Sequence, residues 1–407
     1  MRVTVPIQSL RKAFSEFENR LDIAVFLLLL LFLASSAFSI ALAQIGYFGA
    51  LILWIARMGF RRRVEFPRTK LDIFFVGYAI AEVLATLFAY NKPQSLLYLQ
   101  RRLLIIPIVY ILLSHVRSRR ILQWFLGAVI VSALGVALWS CRDLISHFSE
   151  YLRFERRLSE FQIYMTAGGI MMIAVLLVLP FLVHKSAPQK VRWIALAALV
   201  PLGINLLFTF TRSSWLGFIA GACVIGVRRN WRLMLPLVVI LALIVSVSPP
   251  EMKDRMASIF DPTHPNNTSR LHMWEVGLMM FRDHPLLGIG DIVTEQLWDR
   301  YAQPGWEPEG HLHNNPIMWL VTLGVVGFSA LIALFTRVWV SLVRIEKNLR
   351  GDWFLGSLSL GGLAVLAGFH VNGLFEWNFG DAEIIMLVWA VVGLSLAAAK
   401  IAVSEGL

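Results

Sequence analysis

Charge is scarce in this chain, and cysteine scarcer. Only 15% of the 407 residues are charged and 57% are hydrophobic, which excludes a soluble domain of this length, where roughly a quarter would be charged. Two cysteines, Cys141 and Cys223, exclude a disulfide framework, and no Cys-x-x-Cys offers a redox or zinc centre. His-Glu-x-x-His is absent. So is Asp-x-Asp, the pair with which nucleotide-sugar transferases often hold a divalent cation on a diphosphate. Neither a low-complexity segment nor an internal repeat is present. No small-residue cleavage site closes a short apolar core near the N-terminus, so no signal peptide is expected.

Long apolar runs are abundant instead. Windows able to cross roughly 30 Å of hydrocarbon lie at 22–37, 38–57, 71–89, 98–115, 121–140, 163–183, 193–210, 213–227, 233–248, 317–336, 354–372 and 383–400. They do not alternate as barrel strands do, and in lipid only a helix satisfies its own backbone. The expectation is an all-α polytopic membrane protein, one integral domain over 1–407 with about twelve spans. Basic clusters follow every even-numbered span, from Arg57, Arg61, Arg62 and Arg63 after the second to Arg337, Arg344, Lys347 and Arg350 after the tenth. The positive-inside rule then puts both termini, with Arg11 and Lys12, in the cytoplasm. The net charge of +11 is mostly that signal. It forms no single stripe, so nucleic acid is set aside as a partner.

Connections are short except two on the outer side, 141–162 and 249–316, and loops of such length are usually functional. The larger predicts a helix from Ser269 to Phe281, capped by Thr268 or Ser269, with Leu271, Trp274, Leu278 and Phe281 on one face and Asp283-His284-Pro285 at its end. A second short helix, Asp291 through Trp298, follows the Gly288-Ile289-Gly290 turn and is expected to pack on the first.

Chemistry-bearing residues collect at this boundary. His313, in His313-Asn314-Asn315-Pro316 just before a helix beginning near Ile317, can reach both water and a reactant arriving through the bilayer, which makes it a candidate for proton transfer. Arg270 stands in the predicted first helical turn, where free N–H groups favour an anion; it reads as a phosphate ligand or as a surface arginine paired with Glu275 or a headgroup. Arg212, in the tight turn before the eighth window, either has a specific partner or snorkels to headgroups. His311 and His313 alternate as two ligands of one metal might, but no third ligand stands at a metal-site spacing, so no metal is expected. Arg153, Arg156 and Arg157, interleaved with Tyr151, Phe154 and Leu158, read as acceptor or lipid-headgroup contacts on an interfacial helix, or as a face neutralised by Asp143, Glu150, Glu155 and Glu160. Asn314, Arg101, Arg102, His370 and Glu376 are supporting candidates near the outer ends of their spans.

His313-Asn314, nine residues, Gly324, two residues, Gly327 resembles the signature of the bacterial O-antigen ligase family, part of a superfamily with O-antigen polymerases and O-oligosaccharyltransferases. Thr211-Arg212-Ser213-Ser214-Trp215-Leu216 is similar to that family's Arg-x-x-x-Leu element, and Arg270-Leu271-x-x-Trp274 with His284-Pro285-Leu286-Leu287-Gly288-x-Gly290 resembles the stretch between. Asn315-Pro316 departs from the pattern and is expected to alter the helix start. The resemblance implies a GT-C-like transferase of the bacterial inner membrane with its active site facing the periplasm. Its partners would be an undecaprenyl diphosphate-linked O-antigen donor, a lipid A-core acceptor and membrane lipids. Metal and cofactor would not be needed. His313 would be the general base, and Arg212 and Arg270 the diphosphate ligands. The alternatives are a polymerase, a protein O-glycosylating enzyme (against which the absence of a large C-terminal soluble domain argues mildly) and a lipid-linked sugar transporter.

Overall fold

A computed structural model describes residues 20–62, 66–153, 155–247, 250–258 and 261–406. Arg11, Lys12, Arg63 and Phe154 lie outside them. Every regular element among the described residues is helical. In order these are α1 (Arg20–Ser35), α2 (Ile40–Arg61), α3 (Asp72–Leu87), α4 (Lys92–Leu103), α5 (Pro107–His115), α6 (Arg119–Ser146), α7 (Phe148–Leu152), α8 (Tyr164–Val183), α9 (Gln189–Phe208), α10 (Arg212–Arg229) and α11 (Met234–Val247). The larger loop holds α12 (Pro250–Ala257), α13 (Pro265–Asp283) and α14 (Trp298–Tyr301), and α15 (Asn315–Leu349), α16 (Trp353–Asn372) and α17 (Ala382–Glu405) follow. Both cysteines are free thiols.

The chain is a multi-pass membrane protein. Eight of the described helices are long and apolar enough to cross a membrane, α4 and α5 counting as one. The windows at 22–37, 71–89, 213–227 and 233–248 also fall on helices, but α1, α3, α10 and α11 have only 16, 16, 18 and 14 residues. At about 1.5 Å per residue the described parts of these four fall short of roughly 30 Å, and α1 and α11 adjoin residues outside the description. The 98–115 window is divided because Pro107 opens α5 and disfavours helix in the residues before it.

α16 and α17 are the most enclosed helices, with α8 next. α10 lies on α16 through glycines: a Cβ on Gly217 would stand 2.7 Å from the Gly368 oxygen, and one on Gly221 2.8 Å from that of Ala364. Small residues let the two backbones touch where apolar burial supplies little driving force, and Asn372 Nδ2 donates to Ser214 Oγ at 3.1 Å at the site end of this contact. Arg212, the first residue of α10, is thereby fixed to the centre of the bundle.

α15 breaks at Gly324, whose φ of 61° and ψ of −168° interrupt the helix. A strap from the larger loop fills the break. Ile289 N donates to Val321 O at 2.8 Å and Gly290 N to Thr322 O at 3.0 Å, while Val325 N donates to Pro285 O at 2.8 Å and Val326 N to Leu286 O at 3.2 Å. The groups freed by the break are thus paired, as apolar surroundings demand. A Cβ on Gly324 would lie 2.3 Å from Leu286 C, and one on Gly288 2.5 Å from Thr322 C. Gly324 of the His313…Gly324…Gly327 spacing therefore seats the strap, which ties the end of α13 to the helix that begins beside His313.

Candidate active site

A cavity of about 320 Å³ opens at the loop end of the bundle, lined by Arg212, Ser213 and Leu216 of α10, Pro262, Asn267, Arg270, Leu271 and Trp274 of the larger loop, and Phe375. Arg212 is buried, with Nη1 donating to Ser258 O at 2.8 Å and Ser258 Oγ at 2.9 Å, and Nη2 to Asn267 Oδ1 at 2.8 Å. All its acceptors are neutral. Asn267 Nδ2 in turn donates to Ser258 O at 2.7 Å, so the guanidinium is aimed by a rigid polar frame and keeps its full charge for the cavity.

Arg270 faces Arg212 across that space, but from a different position than expected. α13 starts at Pro265 with His264 as its cap, because proline suits the first turn, where no N–H is needed. Arg270 consequently sits in the second turn, and the helix-end contribution assigned to it from sequence does not apply. The packed face is also rotated. Met273, Val276, Gly277 and Met280 are buried, while Leu271 and Leu278 are 47% and 48% exposed. Gly277 explains this, since a Cβ there would meet Leu312 Cδ1 at 2.4 Å. The second helix, expected over Asp291 through Trp298, is a 3-10 turn (Thr294–Leu297) followed by α14.

His313 stands beside the cavity with φ of 44°, a left-handed conformation that costs a non-glycine residue about 1–3 kcal/mol. The surroundings hold it there. Asn314 caps α15, its Oδ1 accepting from Ile317 N at 2.9 Å, and its Nδ2 donates to Leu374 O at 2.8 Å. Asn315 N donates to Gly373 O at 2.7 Å. Trp274 Nε1 donates to Leu312 O at 3.0 Å. Pro316 occupies the first turn, so α15 begins two residues before Ile317.

The His-Asn-Asn segment is thus docked on the 372–379 turn, and this brings Glu376 to His313: Nδ1 and Oε1 are 2.8 Å apart. Burial raises the Glu376 carboxyl, but the His313 hydrogen bond, with His313, Arg270 and His311 nearby, holds it below the usual carboxylate range. An ionised carboxylate only accepts, so Nδ1 donates in this bond, and Nε2 is the ring nitrogen that Glu376 does not engage. The other oxygen, Oε2, lies 3.9 Å from Arg270 Nη2. His313, Glu376 and Arg270 are thereby linked.

His311 adjoins His313 at 4.2 Å between ring centroids, and burial first, then His313, pushes it down to about 4. The third metal-type ligand that sequence spacing does not offer is supplied by the fold, since ligand atoms of His311, His313 and Glu376 lie within 4.8 Å of one another. The surrounding charge still disfavours a dication, since Arg270 already approaches the carboxylate and Arg212 shares its cavity.

The other candidates lie elsewhere. Arg102 is buried, its Nε 2.8 Å from Asp291 Oδ2 and its Nη1 donating to Phe379 O at 2.7 Å, so it anchors the strap. Arg101 is exposed and rests over Tyr98. His370 packs edge-on against Phe335 at 4.6 Å and does not line the cavity. In the shorter loop α6 continues to Ser146, and only the five-residue α7 follows it before α8. Arg156 makes a two-pronged bond to Asp143, 2.7 Å on each prong, and Arg153 is exposed. Arg157 lies over the Tyr164 ring at 4.4 Å. Ser258, Asn267 and Phe375 were not read from the sequence. Nothing in the sequence marked Asn267, because the predicted helix began after it, whereas α13 starts at Pro265.

Residues 197–332, about a third of the chain, match the family model described as O-antigen ligase. Arg212, Arg270, His313, Gly324 and Gly327 fall inside the matched stretch, and Glu376 outside it. No curated protein matches the chain.

Proposed function

We propose that this chain, whose residues 197–332 match the O-antigen ligase family model, transfers preassembled O-antigen polysaccharide from undecaprenyl diphosphate to a sugar hydroxyl of lipid A-core. The His313–Glu376 pair at 2.8 Å, beside a cavity shared by Arg212 and Arg270, is the observation that carries the reading. On this reading both termini lie in the cytoplasm and the cavity faces the periplasm at the inner membrane, which the basic clusters after the even-numbered windows support.

Nε2 of His313 takes the proton of the acceptor hydroxyl as its oxygen attacks the anomeric carbon. The bond from that carbon to the diphosphate breaks on the opposite side, which inverts the centre, and the electron pair leaves with the diphosphate. That leaving group needs no proton at neutral pH but does need its growing charge met, and the two guanidinium groups meet it. Glu376 holds the imidazole in the required tautomer and offsets the charge it gains, and the proton then passes to water. The apolar wall of Leu216, Trp274 and Phe375 excludes water from the reacting atoms, and fixing two lipid-anchored reactants together supplies a large share of the rate. A metal has no step to perform here.

Deletion tests the reading in cells. The expected outcome is lipid A-core left unextended while lipid-linked polymer of normal length accumulates. Loss of long polymer on the carrier would assign the chain to the polymerase branch instead, and unchanged glycosylated lipid A-core would rule out both.

A further inference from the structure

Arg212 has two cationic neighbours that the transfer mechanism does not use. On one side, Ser258, whose backbone oxygen and hydroxyl receive Arg212, ends the turn that begins at Arg255, with Ser258 Oγ donating to Arg255 O at 2.7 Å. Arg255 Nε is buried and has no hydrogen-bond partner. On the other side, Thr211 Oγ1 donates to Tyr164 O at 2.9 Å, and Arg157 lies over the Tyr164 ring at 4.4 Å. Two short chains of contacts, one from α12 and one from the start of α8, therefore converge on the residue pair Thr211–Arg212.

The charges acting on Arg255 are of one sign. Burial first, then Arg212, Arg157 and Arg270, push its guanidinium down to about 10, with only the Tyr164 hydroxyl opposing. A buried donor without an acceptor, surrounded by like charges, is unfavourable until an anion is bound. A phosphoryl group suits it, because its oxygens accept from several forked donors at once.

We propose that Arg157 and Arg255 form a second phosphoryl-binding subsite beside the Arg212–Arg270 cavity. Its occupant is either the second phosphoryl group of the diphosphate whose first lies between Arg212 and Arg270, or a phosphate carried by the acceptor lipid. The assignment of those two sources rests on the transfer reading above; the subsite itself rests on the contacts.

Full-length protein in lipid nanodiscs, titrated with inorganic pyrophosphate and separately with orthophosphate, reads the subsite through tryptophan fluorescence, since Trp215 and Trp274 lie close by. Arg255→Gln and Arg157→Gln are each expected to weaken pyrophosphate about tenfold, orthophosphate less than about twofold, with Arg255→Lys recovering part of the loss. That result names one diphosphate as the occupant. Unchanged pyrophosphate affinity with an acceptor KM raised about tenfold in the transfer assay, donor KM unaffected, names the acceptor phosphate. If neither affinity nor either KM moves in variants whose thermal midpoint is that of the parent, the subsite is wrong. Pyrophosphate binding that depends on Arg255 in a protein that transfers no glycan would keep the subsite and remove the transfer reading.

Discussion

Several arginines at the basic end of the bundle meet carboxylates closely, although Arg229 Nε and Nη2 there have no hydrogen-bond partner, whereas those around the loop-end cavity do so distantly or not at all. At the basic end, Arg57 meets Asp22 at 2.6 Å with both side chains buried, Arg119 meets Asp352 at 2.7 Å, and Arg228 and Arg350 share Glu346. These pairs were legible in the sequence only as a topology signal, and they are also structural. At the loop end Arg212 is received by neutral oxygens alone, Arg255 Nε by nothing, and Arg270 stands 3.9 Å from its carboxylate. Arg102 is the internal control, since it lies on the loop side yet is held by Asp291 and belongs to no cavity. Paired arginines hold helices together. Under the proposed function the second set acts as a binding surface whose counter-ion comes with the substrate.

The sharpest way to break this contrast is through stability. Arg57→Gln leaves Asp22 buried without its close partner and should destabilise the protein by about 3–5 kcal/mol, whereas Arg255→Gln removes repulsion and should leave the denaturation midpoint unchanged or slightly higher. Equal losses would erase the distinction. Gly324→Ala attacks the strap that keeps the loop end in register. At φ of 61° with Leu286 C 2.3 Å from the new methyl, about 2–4 kcal/mol should be lost, against no loss for Gly135→Ala, which has open space around it.

Function should respond where stability does not. Arg212→Lys and Arg270→Lys keep the charge but lose the fork, so transfer should fall about 10- to 100-fold at unchanged thermal midpoint. Retained turnover in both would remove two-pronged phosphate recognition. The smallest effect is expected from pH. His311, pushed down to about 4 when folded, binds a proton more readily unfolded, so the stability it contributes is full above about pH 6.5 and is lost as pH falls toward 4. Over that window the loss should be about 1–2 kcal/mol, the full shift being reduced by residual hydration. Glu376, held below its ordinary value, contributes above about pH 4.5 and loses its share as pH falls through its lower folded value, so between pH 6.5 and 4.5 the share of His311 is read as the difference between the parent protein and His311→Gln. A pH-denaturation series should flatten in His311→Gln, and an unchanged slope there would sink the assignment.

Apolar periodicity announced the helices well. Each of the twelve windows carries helix, and among the described residues eight helices reach full spanning length. Arg212, Arg270 and His313 were legible from residue type at a boundary together with family spacing. Glu376 was visible only as one of several outer carboxylates, since nothing in a sequence pairs positions 313 and 376. The strap was hidden for another reason. Gly288 and Gly324 matter through positive φ and backbone contact, which look like ordinary turn and helix glycines until the two segments are brought together. In α13 the apolar positions fit more than one face, and Gly277 decided the choice by permitting close approach to Leu312.

The central claim is that His313, oriented by Glu376, serves as base for a hydroxyl attacking a lipid diphosphate sugar held by unpaired arginines. Reconstituted transfer from a lipid diphosphate glycan to lipid A-core tests it most directly, with His313→Ala beside the parent protein. A fall in turnover of about 10²- to 10⁴-fold with donor binding retained is the predicted result. Turnover near that of the parent protein would contradict the account.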